Sequence, residues 1–477
     1  MDRTSVIFNN KIDNKTIKKA NKSKLKYQKK FGDDSNKDYK LGFIDINTLD
    51  FINAKKVVFA QENQEFPKNS LIVGNIRMGF GHYRISIAMA SCAKALGYTP
   101  IWLDLASFDA TGSKMIRYQN DLYSLASRIS QKSHLFNHFI WEPLNKNGFK
   151  RLSYNAIDQK NSENLVPIFK NIPKDIPYIA THVWDSQGAI HAGMKNVVNA
   201  IPDNWPMALH LSEGAIHTVQ TEYAYLGYKM LNDFSKKPLN GILDKDLKMV
   251  GHYVDHEIVS NLENDNNERL FRINNNKPIR ILLTVGGAGA GVNQFIDIVN
   301  HLLPYIINKR VTLFINFGDH DIVYKKLCNS IKGFNKYQCF FNEYNKFNNF
   351  LNNIDNELTG IYSIYNKDIF EAVYSTNLLM RYSDILVTKP SELVFYPIPK
   401  VFMRHIGGHE AYGAIHGSEI GDSTFECSRI NKLKEMLSRL LSDKEILIHM
   451  IDRINELNKE HYYDGAYECV KLAVNGH

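Results

Sequence analysis

From Leu71 onward the chain alternates short apolar runs with stretches whose apolar residues recur at helical spacing. LIVGNI (71–76), TPIWLDL (99–105), IPYIATHV (176–183) and WPMALHL (205–211) each read as a buried strand, because apolar residues fill the run with little alternation. Arg84–Leu96 carries its apolar residues on one helical face, and Ala189–Val198 is expected as a helix. KMVGHYVDHEIVS (248–260) ends a strand at Gly251. After the polar stretch Asn264–Lys277 the pattern begins again with RILLTVGGAGAGVNQFIDIVNHLLPYI (280–306): apolar strand, glycine-rich turn, amphipathic helix. Further strands are expected at 311–318, 360–365, 384–389 and 400–405, with helices at about 368–380 and 430–458.

Strand–turn–helix–strand order, met twice, predicts an α/β protein of two facing, doubly wound, Rossmann-like domains. Ligands of such sheets lie beyond the carboxyl ends of the strands, so the cleft between the domains is the expected site. The divisions are a basic, Lys/Asn-rich extension (1–65), an N-terminal domain (66–265), a C-terminal domain (275–455) and a last helix (456–477) able to cross back to the N-terminal domain.

Composition changes this picture little. Of 477 residues, 44% are hydrophobic and 23% charged, ordinary for a soluble globular protein, and the net charge of +8 is mild for that length. Much of the excess lies in Lys11–Lys30, with nine lysines and the single acid Asp13. Such a run reads as a solvated, mobile arm, or as a patch drawn to an anionic surface such as a membrane. Tyr27 is the lone aromatic there, so a stacking platform for nucleic acid is not expected. Five scattered cysteines without a C-x-x-C pair point to reduced thiols. MDRTSVIFNN lacks the apolar core of a signal peptide, and no run of about 18 apolar residues occurs. The expected place is the cytoplasm, with a peripheral contact to the inner face of the membrane left open.

The chemistry gathers at strand ends. Gly286, Gly287, Gly289 and Gly291 follow a strand and open a helix, where bare backbone N–H groups suit a diphosphate; tight strand–helix packing is the plainer explanation. An acid on the next strand, which a dehydrogenase needs for its nicotinamide ribose, comes only at Asp319, so that class is disfavoured. Gly79-Phe80-Gly81-His82 occupies the matching turn of the first domain. A helix N-terminus disfavours imidazolium, which suits His82 to general-base work on a hydroxyl, although histidines at turns are often surface residues. In VTKPSE (387–392), a carboxylate at Glu392 beside Ser391 could hold the vicinal hydroxyls of a ribose, or the pair could be a helix cap. Gly407, Gly408, His409 and Glu410 form another small-residue turn. HEAYGAIH spaces its histidines seven apart, not four, which excludes the H-E-x-x-H zinc motif. His182, Asp185, His191, His210, Glu213 and His217 are dense for their span, and strand-end placement turns them toward the cleft. Each is expected as a hydrogen-bonding residue rather than a metal ligand.

GFGHYRISIAMASCAKALG, KMVGHYVDHEIVSN, ILLTVGGAGAG and DILVTKPSE with IGGHEAYGA resemble, in order, four motifs of the diacylglycerol glycosyltransferases. That group includes the monogalactosyldiacylglycerol synthases and processive glucosyltransferases, relatives of the peptidoglycan lipid-intermediate N-acetylglucosaminyltransferase. The resemblance spans about residues 70–425. It implies a GT-B fold, a nucleotide-sugar donor in the C-terminal half, an acceptor in the N-terminal half, and inverting transfer without metal or cofactor. On it, His82 is the base. Gly287, Ala288, Gly289 and Ala290 bind the diphosphate of a UDP-sugar-like donor, Ser391 and Glu392 hold its ribose, His409 and Glu410 contact its sugar, and Gly286, Lys389 and Gly408 complete the donor-binding set. Gly79, Gly81, His182, Asp185, His210 and Glu213 face the acceptor or the cleft. The chain departs from the pattern: the GGLT between TKP and SE is missing, His409 replaces a glutamine, and Gly413 an asparagine. Two other readings stay open: a nucleotide-sugar epimerase on the same scaffold, and a non-catalytic protein that binds a nucleotide or a membrane surface.

Overall fold

The apolar runs become the central strands of two sheets. In the computed structural model, residues 3–77, 79–132, 149–286, 292–405 and 410–476 are described. A short hairpin, β1 (Val6–Ile7) and β2 (Asn10–Lys11), precedes the first sheet. That sheet contains β3 (Lys40–Asp45), β4 (Lys55–Ala60), β5 (Ser70–Asn75), β6 (Thr99–Asp104), β7 (Tyr178–Ala180), β8 (Val197–Ala200), β9 (Ile216–Val219) and β10 (Leu247–Met249). Among the described residues its order is β10-β9-β8-β7-β5-β6-β4-β3, and only the β3–β4 pair is antiparallel. The second sheet contains β11 (Ile279–Thr284), β12 (Val311–Asn316), β13 (Gln338–Phe341), β14 (Gly360–Tyr365), β15 (Ile385–Thr388) and β16 (Lys400–Phe402). Its order is β13-β14-β12-β11-β15-β16, all parallel. Every residue of β5 and β12 is buried, as expected for strands covered by helices on both faces.

In each sheet the chain leaves the first central strand in one direction and later returns on its other side. The order therefore reverses at β5/β7 in the N-terminal domain and at β11/β15 in the C-terminal domain. These are the places where an open α/β sheet leaves a crevice. The two facing, doubly wound, Rossmann-like domains make this a GT-B arrangement.

Several expectations are corrected. Lys11–Lys30 is not a mobile arm: most of it lies in the helix Asn14–Phe31, capped by Asp13, whose carboxylate accepts the Thr16 N–H at 2.8 Å. Thr16 and Ala20 are buried, Tyr27 and Phe31 pack on Tyr118, and Lys24 pairs with Glu163 at 2.7 Å. Those positions recur at helical spacing beneath the lysines. Residues 40–60 add β3 and β4 to the sheet, so the expected extension is built into the domain. WPMALHL holds a short turn, Ala208–His210, in place of a strand, and Ala189–Val198 divides between the end of the helix Val183–His191 and β8. The helix Leu262–Asn274, which the boundary at 265 would cut, is tied to the C-terminal domain: Arg269 donates to the Ser383 carbonyl at 2.9 Å and Arg381 binds Asp265 at 3.0 Å. The last helix, Gly465–Asn475, packs against Gly81–Ala95 of the N-terminal domain. Among the described residues no helix is long and apolar enough to cross a membrane.

Candidate active site

The two crevices meet. After β5 the chain turns through Gly79, whose φ of 91° is a backbone state that side chains rarely adopt, and opens the helix Gly81–Ala95. A methyl group on Gly81 would stand 3.3 Å from Glu392 Oε2, so the glycine lets the opposing domain's carboxylate reach the start of this helix. Glu392 lies after β15 in the short turn Glu392–Phe395, and the Val394 N–H donates to the Ser391 carbonyl at 3.0 Å. Beside it, Gly286 follows β11 under Lys389: a methyl group there would be 2.9 Å from Lys389 Cε and 3.1 Å from Nζ. The Lys389 carbonyl accepts the Ser391 N–H at 2.9 Å, and its ammonium has no ion-pair or hydrogen-bond partner among the described residues. A partly buried ammonium beside Gly286, with no counter-charge among the described residues, is suited to an anion.

His82 is held by main chain. Its Nδ1 is 2.7 Å from the Thr181 carbonyl at the end of β7. A carbonyl only accepts, so Nδ1 carries the proton and Nε2 keeps its lone pair. Burial lowers its pKa, which keeps the ring neutral near pH 7. The turn behind it is tied down: Asn75 donates to Ser86 Oγ at 2.6 Å and to the His82 carbonyl at 3.2 Å, and Ser86 meets Thr181 at 2.8 Å. Strand-end placement also brings His182 to this crevice, its ring centre 5.0 Å from that of His82. Burial, then the neighbouring His82 and His210, depress its pKa well below the ordinary histidine value. His210 joins the group with Nε2 3.1 Å from Asp203.

Two expected cleft residues are elsewhere. Asp185 is fully buried in the N-terminal domain, and burial pushes its carboxyl well up, toward the neutral acid. Glu213 accepts the Phe8 N–H at 2.5 Å and so anchors the N-terminal hairpin. The Glu410 carbonyl accepts the Gly413 N–H at 2.9 Å at the start of the helix Ala411–Ile420. A methyl group on Gly413 would stand 2.7 Å from the Pro390 carbonyl, which explains a glycine there. Gly287, Ala288, Gly289, Ala290, Gly408 and His409 lie outside the described residues. Among the described residues no three His, Cys, Asp or Glu side chains form a group that could hold a metal.

Contacts that no motif announced join the domains around this site. Arg77 reaches Asp319 at 3.0 Å, which commits that acid to the opposite domain. Phe80 sits under Gly318, where a methyl group would come within 2.6 Å of its ring. On the other side Tyr412 packs on Trp205 and Tyr223, at 4.4 and 5.0 Å between ring centres. Below, Arg84 donates to the Val373 carbonyl at 3.3 Å and to Asn377, and Asn377 donates to Asp255 at 3.0 Å. Burial, then the nearby Glu257, raises Asp255 to about 7.

Two family models divide the chain. A domain of unknown function, DUF6937, matches residues 6–230, and a second, DUF6938, matches residues 242–474. No curated protein matches by sequence. Similar solved structures include UDP-GlcNAc 2-epimerase from Neisseria meningitidis bound to UDP-GlcNAc, 13% identical over 85% of this chain and 100% of that one, TM-score 0.44. MnaA of S. aureus, solved with UDP, is 14% identical over 84% and 94%, TM-score 0.45. The glycosyltransferase SsfS6 of Streptomyces sp. SF2575 is 10% identical over 82% and 95%, TM-score 0.41. At such scores the fold rests on the strand order above.

Proposed function

We propose that the protein is an inverting, metal-independent glycosyltransferase that moves a hexose from a UDP-sugar to a hydroxyl acceptor. The observation that carries this reading is the meeting of Gly81, next to His82, with Glu392 of the other domain, and of Gly286 with Lys389, beside the strand-order reversals of the two sheets. Lys389 and the glycine-rich segment that begins at Gly286 take the diphosphate, Glu392 with Ser391 the ribose, and Glu410 with the residues before it the sugar. The acceptor oxygen attacks the anomeric carbon from the face opposite the diphosphate, and its proton passes to His82 Nε2. The bond from the anomeric carbon to the diphosphate oxygen breaks, with its electrons left on that oxygen. The Lys389 ammonium and the backbone N–H groups of the glycine-rich segment stabilise the new charge. Domain contacts on both sides exclude water, which would otherwise compete with the acceptor.

The test uses water as a slow acceptor. The full chain is incubated with a panel of UDP-sugars, and both UDP and the anomer of the freed sugar are followed by NMR. Release of UDP with inversion is expected. Interconversion of one UDP-sugar into another without UDP release would make the protein an epimerase, and no consumption of any UDP-sugar would overturn both.

A further inference from the structure

The geometry points to a second working imidazole: His182 donates a hydrogen bond from Nε2 to the same acceptor hydroxyl whose proton His82 takes. The inference rests on the transfer reading and adds to it how the acceptor is recognised. His182 stands just before the helix Val183–His191, and its Nδ1 accepts the Trp184 N–H at 3.2 Å. A backbone N–H only donates, so Nδ1 of His182 holds a lone pair and the proton of the neutral ring is on Nε2. His82 is the opposite case, with the Thr181 carbonyl fixing the proton on Nδ1. One four-residue stretch, Thr181–Trp184, thus supplies both main-chain anchors, an acceptor for one ring and a donor for the other.

The result is a matched pair, one Nε2 lone pair and one Nε2–H, on rings 5.0 Å apart and inclined by 64°. One oxygen at about 2.8 Å from each nitrogen spans up to roughly 5.6 Å between them, a separation that ring centres 5.0 Å apart allow. A hydroxyl satisfies both at once, since its hydrogen goes to His82 and its oxygen accepts from His182. An ammonium has no lone pair for His182. The pair therefore favours a hydroxyl over an ammonium, and it fixes the direction of the oxygen's remaining lone pair toward the donor sugar.

Two measurements test this on the full chain. The first is 15N NMR of the imidazoles, assigned with His82→Gln and His182→Asn. The expected result is a proton on Nδ1 of His82 and on Nε2 of His182 at pH 7.5. The same tautomer on both rings overturns the inference while leaving sugar transfer intact. The second is His182→Asn itself, in which the side-chain oxygen still caps the Trp184 N–H while the Nε2–H is gone. Its melting temperature and UDP affinity should match wild type. Its turnover of UDP-sugar should fall about tenfold or more, because one charge-neutral hydrogen bond in the reacting complex is lost. His182→Ala should show the same fall together with a lowered melting temperature. Unchanged turnover in His182→Asn overturns the inference. Opposite tautomers in a protein that consumes no UDP-sugar overturn the transfer reading instead, and the role assigned to the pair with it.

Discussion

The two crevices at the centre of the molecule are built alike and furnished oppositely. Each lies where a doubly wound sheet reverses, beside β5/β7 in one domain and β11/β15 in the other. Next to β5 and β7 stand imidazoles: His82 and His182, both with depressed pKa, and His210. Next to β11 and β15 stand Lys389, without a counter-charge among the described residues, and the bare backbone of Gly286. One crevice is suited to moving a proton and the other to holding an anion. A shared strand-order reversal leaves that choice to the few residues at the strand ends.

The sharpest way to break this division is His82→Ala. Loss of a general base should lower turnover of UDP-sugar by about a hundred- to ten-thousandfold, while UDP affinity stays within about twofold. Calorimetry and a UDP-release assay read the two effects separately, and a joint loss would show that the crevices do not divide the work.

A smaller effect should come from the contact that holds the crevices opposite each other. Asp255 is raised to about 7 by burial, so the folded chain binds its proton more tightly than the unfolded chain does. The stability it contributes is present at low pH and is lost as pH rises from about 4 through 7. Asp255→Asn should therefore lose less stability between pH 5 and pH 8 than wild type, by roughly 2–4 kcal/mol in chemical unfolding. An unchanged pH slope would mean that the Arg84–Asn377–Asp255 chain does not carry the domain contact.

Smaller still, Gly413→Ala puts a carbon 2.7 Å from the Pro390 carbonyl, and backbone must shift to admit it. A loss of about 1–3 kcal/mol is expected, with weaker UDP binding, because Pro390 leads into Ser391 and Glu392. A silent substitution would detach this turn from the anion-holding crevice.

The large features were legible in the chain. Apolar runs gave away β5, β11, β12, β14 and β15, and glycines marked the turn after β5. What stayed hidden had polar residues in buried places. β8 and β9 are four residues each and carry Asn199, His217 and Thr218 inward. Asn199 donates to the His210 carbonyl at 2.7 Å and His217 accepts the Ser212 N–H at 2.9 Å, so burial costs them little, yet no apolar run signals them. The helix Val183–His191 starts early because a histidine takes the place that Ser, Thr, Asp or Asn usually fills. Glu213 looked like a cleft acid, but its partner Phe8 is 205 residues away, a distance no local pattern spans. Arg84 was hidden in the same way, since its partners Val373 and Asn377 belong to the other domain.

The account stands most directly on Lys389, and calorimetric titration of the full chain with UDP and with uridine tests it. Wild type should bind UDP more tightly than uridine, and Lys389→Ala should weaken UDP by about ten- to a hundredfold, the worth of a charge-assisted contact, while uridine binds as before. Equal affinity of wild type for UDP and uridine, or a Lys389→Ala variant that holds UDP as tightly as wild type, would contradict a diphosphate site in this crevice.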